Sequence, residues 1–265
     1  MVKMEKVKVF LSDPQVLFRE GIHFILSGED DFEVTGETTS NEEALTLIEA
    51  NPPNVAILSL QNGKLNGPEI TRRIKRGFPS VSVILTMDKS DEEQLFSAMV
   101  SGASACITKG IDPENLLDTI RAAAKGDSPI VEVLLTPGVA SRALSEFEDL
   151  ATLSEQLDNL LASLAPKEKE ILSSIAAGNG MEQVTAKLGI NEEAVRRNLR
   201  SILNKLVAND QARALIEAAQ RSLPSIIRSA GKKGGLSAEY VTKEEFNEFK
   251  ESLMARLKSF IGELA

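Results

Sequence analysis

Between residue 7 and about residue 126, short apolar runs alternate with stretches of helical period, and this alternation constrains the fold more than any other feature of the chain. The runs are VKVFLS, EVTGET, VAILSL, VSVILTM and ACIT; the helical stretches between them include NEEALTLIEA and PENLLDTIRAAAKG. Strand and helix in strict succession imply parallel pairing, because each strand needs a crossover to return in the same direction. VAIL and VSVIL are continuously apolar, as strands covered on both faces must be. With right-handed crossovers, five such units give an α/β fold, a doubly wound five-stranded parallel sheet over residues 1–128. Its functional crevice is expected at the carboxyl ends of the strands.

After Pro137 and Gly138 the strand signals stop. Residues 129–163 read as a linker containing a helix, because Leu144, Phe147, Leu150, Leu153, Leu157, Leu160 and Leu161 form a stripe that could connect domains or pair with a second copy. Residues 164–223 read as an all-α domain of short helices separated by AAGNGM and LGINEE. RSAGKKGG marks a flexible linker over 224–241. A last amphipathic helix over 242–265 is opened by Thr242 and Glu245 at capping-box spacing, and carries Phe246, Phe249, Leu253, Leu257, Phe260, Ile261 and Leu264. That stripe needs cover, either on its own chain or on a partner.

Several function classes are disfavoured by composition. No apolar run approaches the roughly 20 residues of a membrane span, and MVKMEKVKVFLSD enters a strand pattern without a signal-peptide core, so a cytoplasmic protein with no membrane contact is expected. The single cysteine, Cys106, lies in an apolar context and reads as a structural thiol. One histidine, His23, and no CxxC give no metal-ligand cluster, and neither a catalytic constellation nor a cofactor motif is visible. A net charge of −9 argues against a uniformly basic nucleic-acid binder but leaves room for a local basic patch.

Three stretches carry a resemblance. SDPQVLFREG has the form of a first strand end and helix start, Thr86 stands in VILTM and Lys109 in ACITKG. LAPKEKEILSSIAAGN and VTAKLGINEEAVRRNLRSILNKL follow in the all-α region. Residues 7 to about 223 thereby resemble a response regulator of the NarL/FixJ type, a flavodoxin-like receiver domain followed by a LuxR-type helix-turn-helix domain. The resemblance implies a DNA-binding transcription regulator of two-component signalling, working as a dimer.

The same resemblance exposes a departure. A receiver forms an acyl phosphate, which requires a carboxylate nucleophile and a Mg²⁺ ion held by oxygen ligands. Aligned on Arg19, Glu20 and Gly21, the acidic pair of the family falls on Asp13 and Pro14, and its acceptor falls on Ser59. The expectation is a pseudo-receiver that accepts no phosphoryl group and binds no metal. With no phosphoryl to hold, Thr86 and Lys109 read first as packing and surface residues. A sharper alternative is a direct ion pair of Lys109 with Asp13, within about 4 Å, fixing the pocket in one state.

In the second domain Pro166 opens a helix, Gly189 makes the turn, and a recognition helix is expected from near Glu192. Val195, Leu199, Ile202, Leu203 and Leu206 form its core face, which leaves Arg196, Arg197, Arg200 and Lys205 as the candidate contacts to duplex DNA. Met181, Glu182 and Gln183 stand where the family carries a polar and basic triplet, and Val207 where it carries a glycine. Nine bases face seven acids between residues 160 and 222, a small excess. Two readings follow: a phosphorylation-independent, homodimeric DNA-binding regulator whose receiver serves dimerisation or a non-phosphoryl input, or an adaptor that keeps both folds and binds a protein partner, the C-terminal helix included.

Overall fold

A computed structural model describes residues 6–156 and 161–230. The expected C-terminal helix over 242–265 lies outside the described residues. Five strands, β1 (Val7–Ser12), β2 (Phe32–Thr38), β3 (Val55–Ser59), β4 (Ser82–Met87) and β5 (Ala105–Thr108), form one sheet in the order β2-β1-β3-β4-β5, with every pairing parallel. Between them run α1 (Val16–Ser27), α2 (Asn41–Ala50), α3 (Gly67–Gly77), α4 (Glu92–Val100) and α5 (Pro113–Ala124). The doubly wound five-stranded sheet is the one the alternation predicts.

The strands form where β-branched and aliphatic residues run together, and all of β3 and β4 is buried. One core cluster joins Val9, Leu11, Ile57 and Ile84 of the strands to Ile22 and Leu26 of α1 and Leu116 and Ile120 of α5. Burying each such side chain contributes about 1.5–3 kcal/mol before chain entropy is charged. Helix starts are set by side-chain caps. Ser40, Asn66, Asp91 and Asp112 accept hydrogen bonds from the amides of Glu43, Glu69, Gln94 and Glu114. The backbone passes closely at the start of α3, where a Cβ on Gly67 would lie 2.8 Å from Leu60 Cα and 2.9 Å from a Leu85 methyl.

A 3₁₀ helix that the periodicity does not announce spans Pro129–Leu135, and α6 (Pro137–Gln156) follows it. Ile130, Val131 and Leu134 are buried, as are Val139, Ala140 and Ala143. The Ile130 amide donates to Ser104 O at 3.0 Å, and the Arg142 guanidinium stands 5.5 Å from the centre of the Phe96 ring on α4. The chain after α5 therefore covers the α4 side of the sheet domain.

Three more helices complete the described chain: α7 (Pro166–Ala176), α8 (Met181–Leu188) and α9 (Glu192–Ala230). Among the described residues, the chain divides into one compact unit of residues 6–146 and 164–203 and another of 147–156, 161–163 and 204–230. Within the second, Leu150, Leu161 and Ala212 cluster, and the Asn209 side chain accepts from Ala162 N at 2.8 Å and donates to Ala162 O at 2.9 Å. The flexible stretch expected from residue 224 is helical as far as Ala230, because α9 continues through Pro224. Around that proline the sequence is rich in Ala, Leu, Arg and Gln, strong helix formers that sustain the helix on either side of one missing amide.

Candidate functional site

Parallel strands deliver their carboxyl ends to one edge of the sheet, and there the separated residues Asp13, Ser59, Thr86 and Lys109 come together. Ser59 and Thr86 are register partners at the ends of β3 and β4; Asp13 directly follows β1 and Lys109 directly follows β5. A cavity of about 410 Å³ opens here, lined by Pro14, Gln15, Ser59, Gln61, Thr86, Asp88 and Lys109 among others.

Every polar atom of the Asp13 carboxylate is engaged. Lys109 Nζ lies 3.0 Å from Oδ1 and 2.9 Å from Oδ2. Thr86 Oγ1 donates to Oδ2 at 3.2 Å, and the Gln15 amide donates to Oδ1 at 2.8 Å, so Asp13 also anchors the first turn of α1. The ammonium reaches Asp88 at 3.4 Å as well, and stands 5.2 Å from the centre of the Phe18 ring. The expectation that Lys109 is a packing or surface residue is corrected. Its side chain is 12% exposed and that of Asp13 5%, which makes theirs a buried, hydrogen-bonded ion pair.

Ser59 is buried, and its hydroxyl donates to Gln61 O at 3.2 Å. The loop after it is held from below by two amides. Asn41 donates to Ser59 O and Leu65 O, both at 3.0 Å, and accepts from Ser12 Oγ at 3.0 Å; Asn62 donates to Thr39 O at 2.9 Å. From the α2 side Glu42 accepts from Lys64 N at 2.7 Å and Leu65 N at 2.8 Å. Hydrogen bonds from its own backbone amide, from the Ser40 hydroxyl and from these loop amides hold the Glu42 carboxyl below its ordinary range. Sequence reasoning missed Asn41, although Asn41, Ala44 and Ile48 share one buried phase of α2, and a polar residue in that phase signals an internal network.

A second candidate surface lies on α9. Asn191 Oδ1 caps it by accepting from Ala194 N at 2.8 Å, and Gly189, at φ +63°, makes the turn that separates it from α8. Val195, Leu199, Ile202, Leu203 and Leu206 are buried, as their spacing predicts. Glu168 of α7 is buried too; it accepts from Ala165 N at 2.7 Å and from Ser201 Oγ at 2.7 Å, tying α7 to the third turn of α9. Arg197 and Arg200 are exposed, whereas Arg196 and Lys205 are half-buried. Arg196 is held by two carboxylates: its Nη2 donates to Glu192 Oε1 at 2.8 Å, and its Nη1 donates to Glu132 of the 3₁₀ helix. Nothing in the sequence pattern singles out Glu132.

Comparison with known proteins locates the same two regions. The response regulator receiver domain family matches residues 9–121, and the luxR family of bacterial regulatory proteins matches residues 162–218. The uncharacterized transcriptional regulatory protein YxjL of Bacillus subtilis (strain 168) is 27% identical over 219 residues, 83% of this chain and 98% of the relative. The transcriptional regulatory protein DegU of Brevibacillus brevis is 27% identical over 227 residues, 82% and 94% of the two chains. Among solved structures, a DNA-binding response regulator of the LuxR family from Staphylococcus aureus aligns at 24% identity and a TM-score of 0.43, covering 44% of this chain and 98% of that one. Among the described residues, no helix is long and apolar enough to cross a membrane.

Proposed function

We propose that this chain, in which the response regulator receiver domain family and the luxR family of bacterial regulatory proteins match in succession, is a response regulator that regulates transcription as a homodimer without accepting a phosphoryl group. The observation that carries this reading is the buried pair of Lys109 with Asp13 in a pocket whose β3 strand ends in Ser59. Phosphorylation ordinarily works by adding charge to a site poised to respond to it. Here the lysine is already neutralised by an internal carboxylate, and Asn41, Asn62 and Glu42 pin the loop that would have to respond.

The donor set does not fit Mg²⁺. Such an ion favours six oxygen ligands in near-ideal octahedral geometry. Asp13 is committed to Lys109, Thr86 and Gln15, Pro14 has no side-chain oxygen to offer, and the Ser59 hydroxyl is turned to Gln61. A serine hydroxyl also needs a base to become a nucleophile, and the carboxylate closest to this task is held by an ammonium.

On the output side, α9 presents Arg197 and Arg200 to solvent, residues suited to phosphate or to guanine edges in a major groove. Two recognition helices on half-sites one turn apart give affinity that a single copy lacks. The test is binding to duplex DNA across a salt series, with and without prior incubation with acetyl phosphate and Mg²⁺. The reading predicts steep salt dependence and identical curves in both arms. A shift produced by the phosphodonor overturns phosphorylation independence. One observation favours the adaptor reading as a second: Arg196, at the start of α9, is engaged by Glu192 and Glu132 rather than offered outward. Absence of DNA binding at low salt would decide for it.

A further inference from the structure

We propose that the cavity at the carboxyl edge of the sheet binds a small neutral polyhydroxylated molecule, of the class of a monosaccharide or a cyclic polyol. The inference rests on the reading of this pocket as one that takes no phosphoryl group, and it names what such a pocket can hold instead. Its volume of about 410 Å³ lies within the roughly 300–1,000 Å³ of small-molecule sites. The charges decide the class of ligand. Lys89 and Lys109 line the cavity together with Asp88 and Asp91, two cations against two anions. The Lys109 ammonium is already shared between Asp13 at 2.9 Å and Asp88 at 3.4 Å, so an anionic ligand finds that cation in use and carboxylates beside it. A cationic ligand fares no better. Asp88 is held by Lys109 and by the Gln15 carboxamide, and Asp91 accepts from the Gln94 amide as the cap of α4. A neutral molecule has to displace none of these partners.

What the lining leaves over is hydrogen-bonding capacity. The side-chain carboxamides of Gln61 and Gln94 line the cavity and make no hydrogen bond among the described residues. A carboxamide both donates and accepts, as a hydroxyl does, so the two pair in either direction; a carboxylate that holds one donor still has lone pairs for another, and Asp88 and Asp91 supply those. Pro14, Leu60 and Met87 add an apolar wall for the C–H face of a ring. Balanced charge, unused donors and acceptors and a short apolar wall together suit hydroxyl groups carried on carbon. The site also has a route to the rest of the chain through the first turn of α4. Asp91 and Gln94 line the cavity, whereas Glu93 of the same turn lies 3.8 Å from Arg142 of α6, and Glu92 lies against Gly138, where a Cβ would overlap its carboxylate. Filling the cavity therefore bears on the turn that holds the start of α6.

The isotope-labelled full-length protein tests it by NMR titration with D-glucose, D-ribose, glycerol and myo-inositol, and in parallel with inorganic phosphate and putrescine. At least one polyol is expected to shift the side-chain amide resonances of Gln61 and Gln94 along a saturable curve, with the Gly138 amide moving in step, while phosphate and putrescine leave all three in place. Gln61→Leu with Gln94→Leu changes two positions outside the core, so the fold, checked by circular dichroism, is retained. Calorimetry should then show that polyol bound at least tenfold more weakly, a loss of about 1.4 kcal/mol or more. No saturable shift with any polyol overturns the proposal, as does tighter binding of phosphate or putrescine, or an unchanged affinity in the double variant. Saturation with Gly138 unmoved overturns the route through α4. Acetyl phosphate with Mg²⁺ separates this proposal from the reading beneath it. Phosphoryl transfer to a protein that also binds a polyol would remove phosphorylation independence and leave the site standing; a protein that takes up neither keeps phosphorylation independence and loses the site.

Discussion

Lys109 and Asp13, 96 residues apart in the chain, meet with the ammonium 2.9 Å from a carboxylate oxygen at the edge of the sheet. The pair joins the ends of β5 and β1, and through Thr86 it also holds the end of β4. Removing the lysine alone leaves a buried carboxylate with only the Thr86 hydroxyl and the Gln15 amide. Lys109→Met should therefore lower the unfolding free energy by roughly 3 kcal/mol, the cost of orphaning one member of a buried pair. Adding Asp13→Asn to it should recover much of that stability. Chemical denaturation of the three proteins measures this, and a double variant no more stable than Lys109→Met would refute the pairing energy.

Acetyl phosphate with Mg²⁺ should leave no label on the protein, acid-labile or acid-stable. Ser59→Asp alone should not restore labelling, since Pro14 still withholds an oxygen and Asp13 remains paired. Intact-mass spectrometry after incubation decides, and stoichiometric addition of a phosphoryl group to the wild type would contradict the expectation.

The clamp of Glu42 on the loop after β3 should respond to acid. Folding holds its carboxyl below the ordinary value of 4.5, chiefly through its own amide and the Ser40 hydroxyl, so the clamp is fully present above that value and is lost as pH falls through the lower folded-state value. The amide resonances of Lys64 and Leu65 should titrate together in that acid window, and Glu42→Gln should abolish the titration.

Arg197→Ala with Arg200→Ala should weaken DNA binding and flatten its salt dependence by about one unit of slope for each phosphate no longer engaged. Glu132→Gln should act in the opposite direction, because it releases Arg196 from one of its two carboxylates. Leu199→Ala differs from both. It empties a buried position and should cost about 2–5 kcal/mol of stability, visible in the melting curve before any DNA is added.

Cys106 should be inert in the native protein. Burial raises its thiol to about 12, so at pH 8 alkylation should run roughly a thousandfold slower than in the unfolded chain. Rapid labelling under native conditions would show that the strand end opens.

The sheet and its helices were legible in the sequence because they rest on local periodicity. Continuous apolar runs such as VAIL and VSVIL can be satisfied only between two covered faces, and PENLLDTIRAAA only as a helix with one such face. The core stripe of α9 and the turn at Gly189 followed for the same reason. The positions of Asp13, Ser59, Thr86 and Lys109 at one sheet edge were also within reach, since parallel strands must end together. Which partner each polar group takes was decided by tertiary structure alone. Arg196 closes on Glu132, and Asn41 on the backbone of Ser59 and Leu65, whereas the pair of Lys109 with Asp13 was one of two readings the sequence left open. A buried charge or amide has to find a complementary group wherever packing brings one, and packing brings together residues far apart in the chain. The 3₁₀ helix at 129–135 belongs to the same class. Its few residues carry no readable period, and it is held by the α4 face it covers and by the Ile130 bond to Ser104.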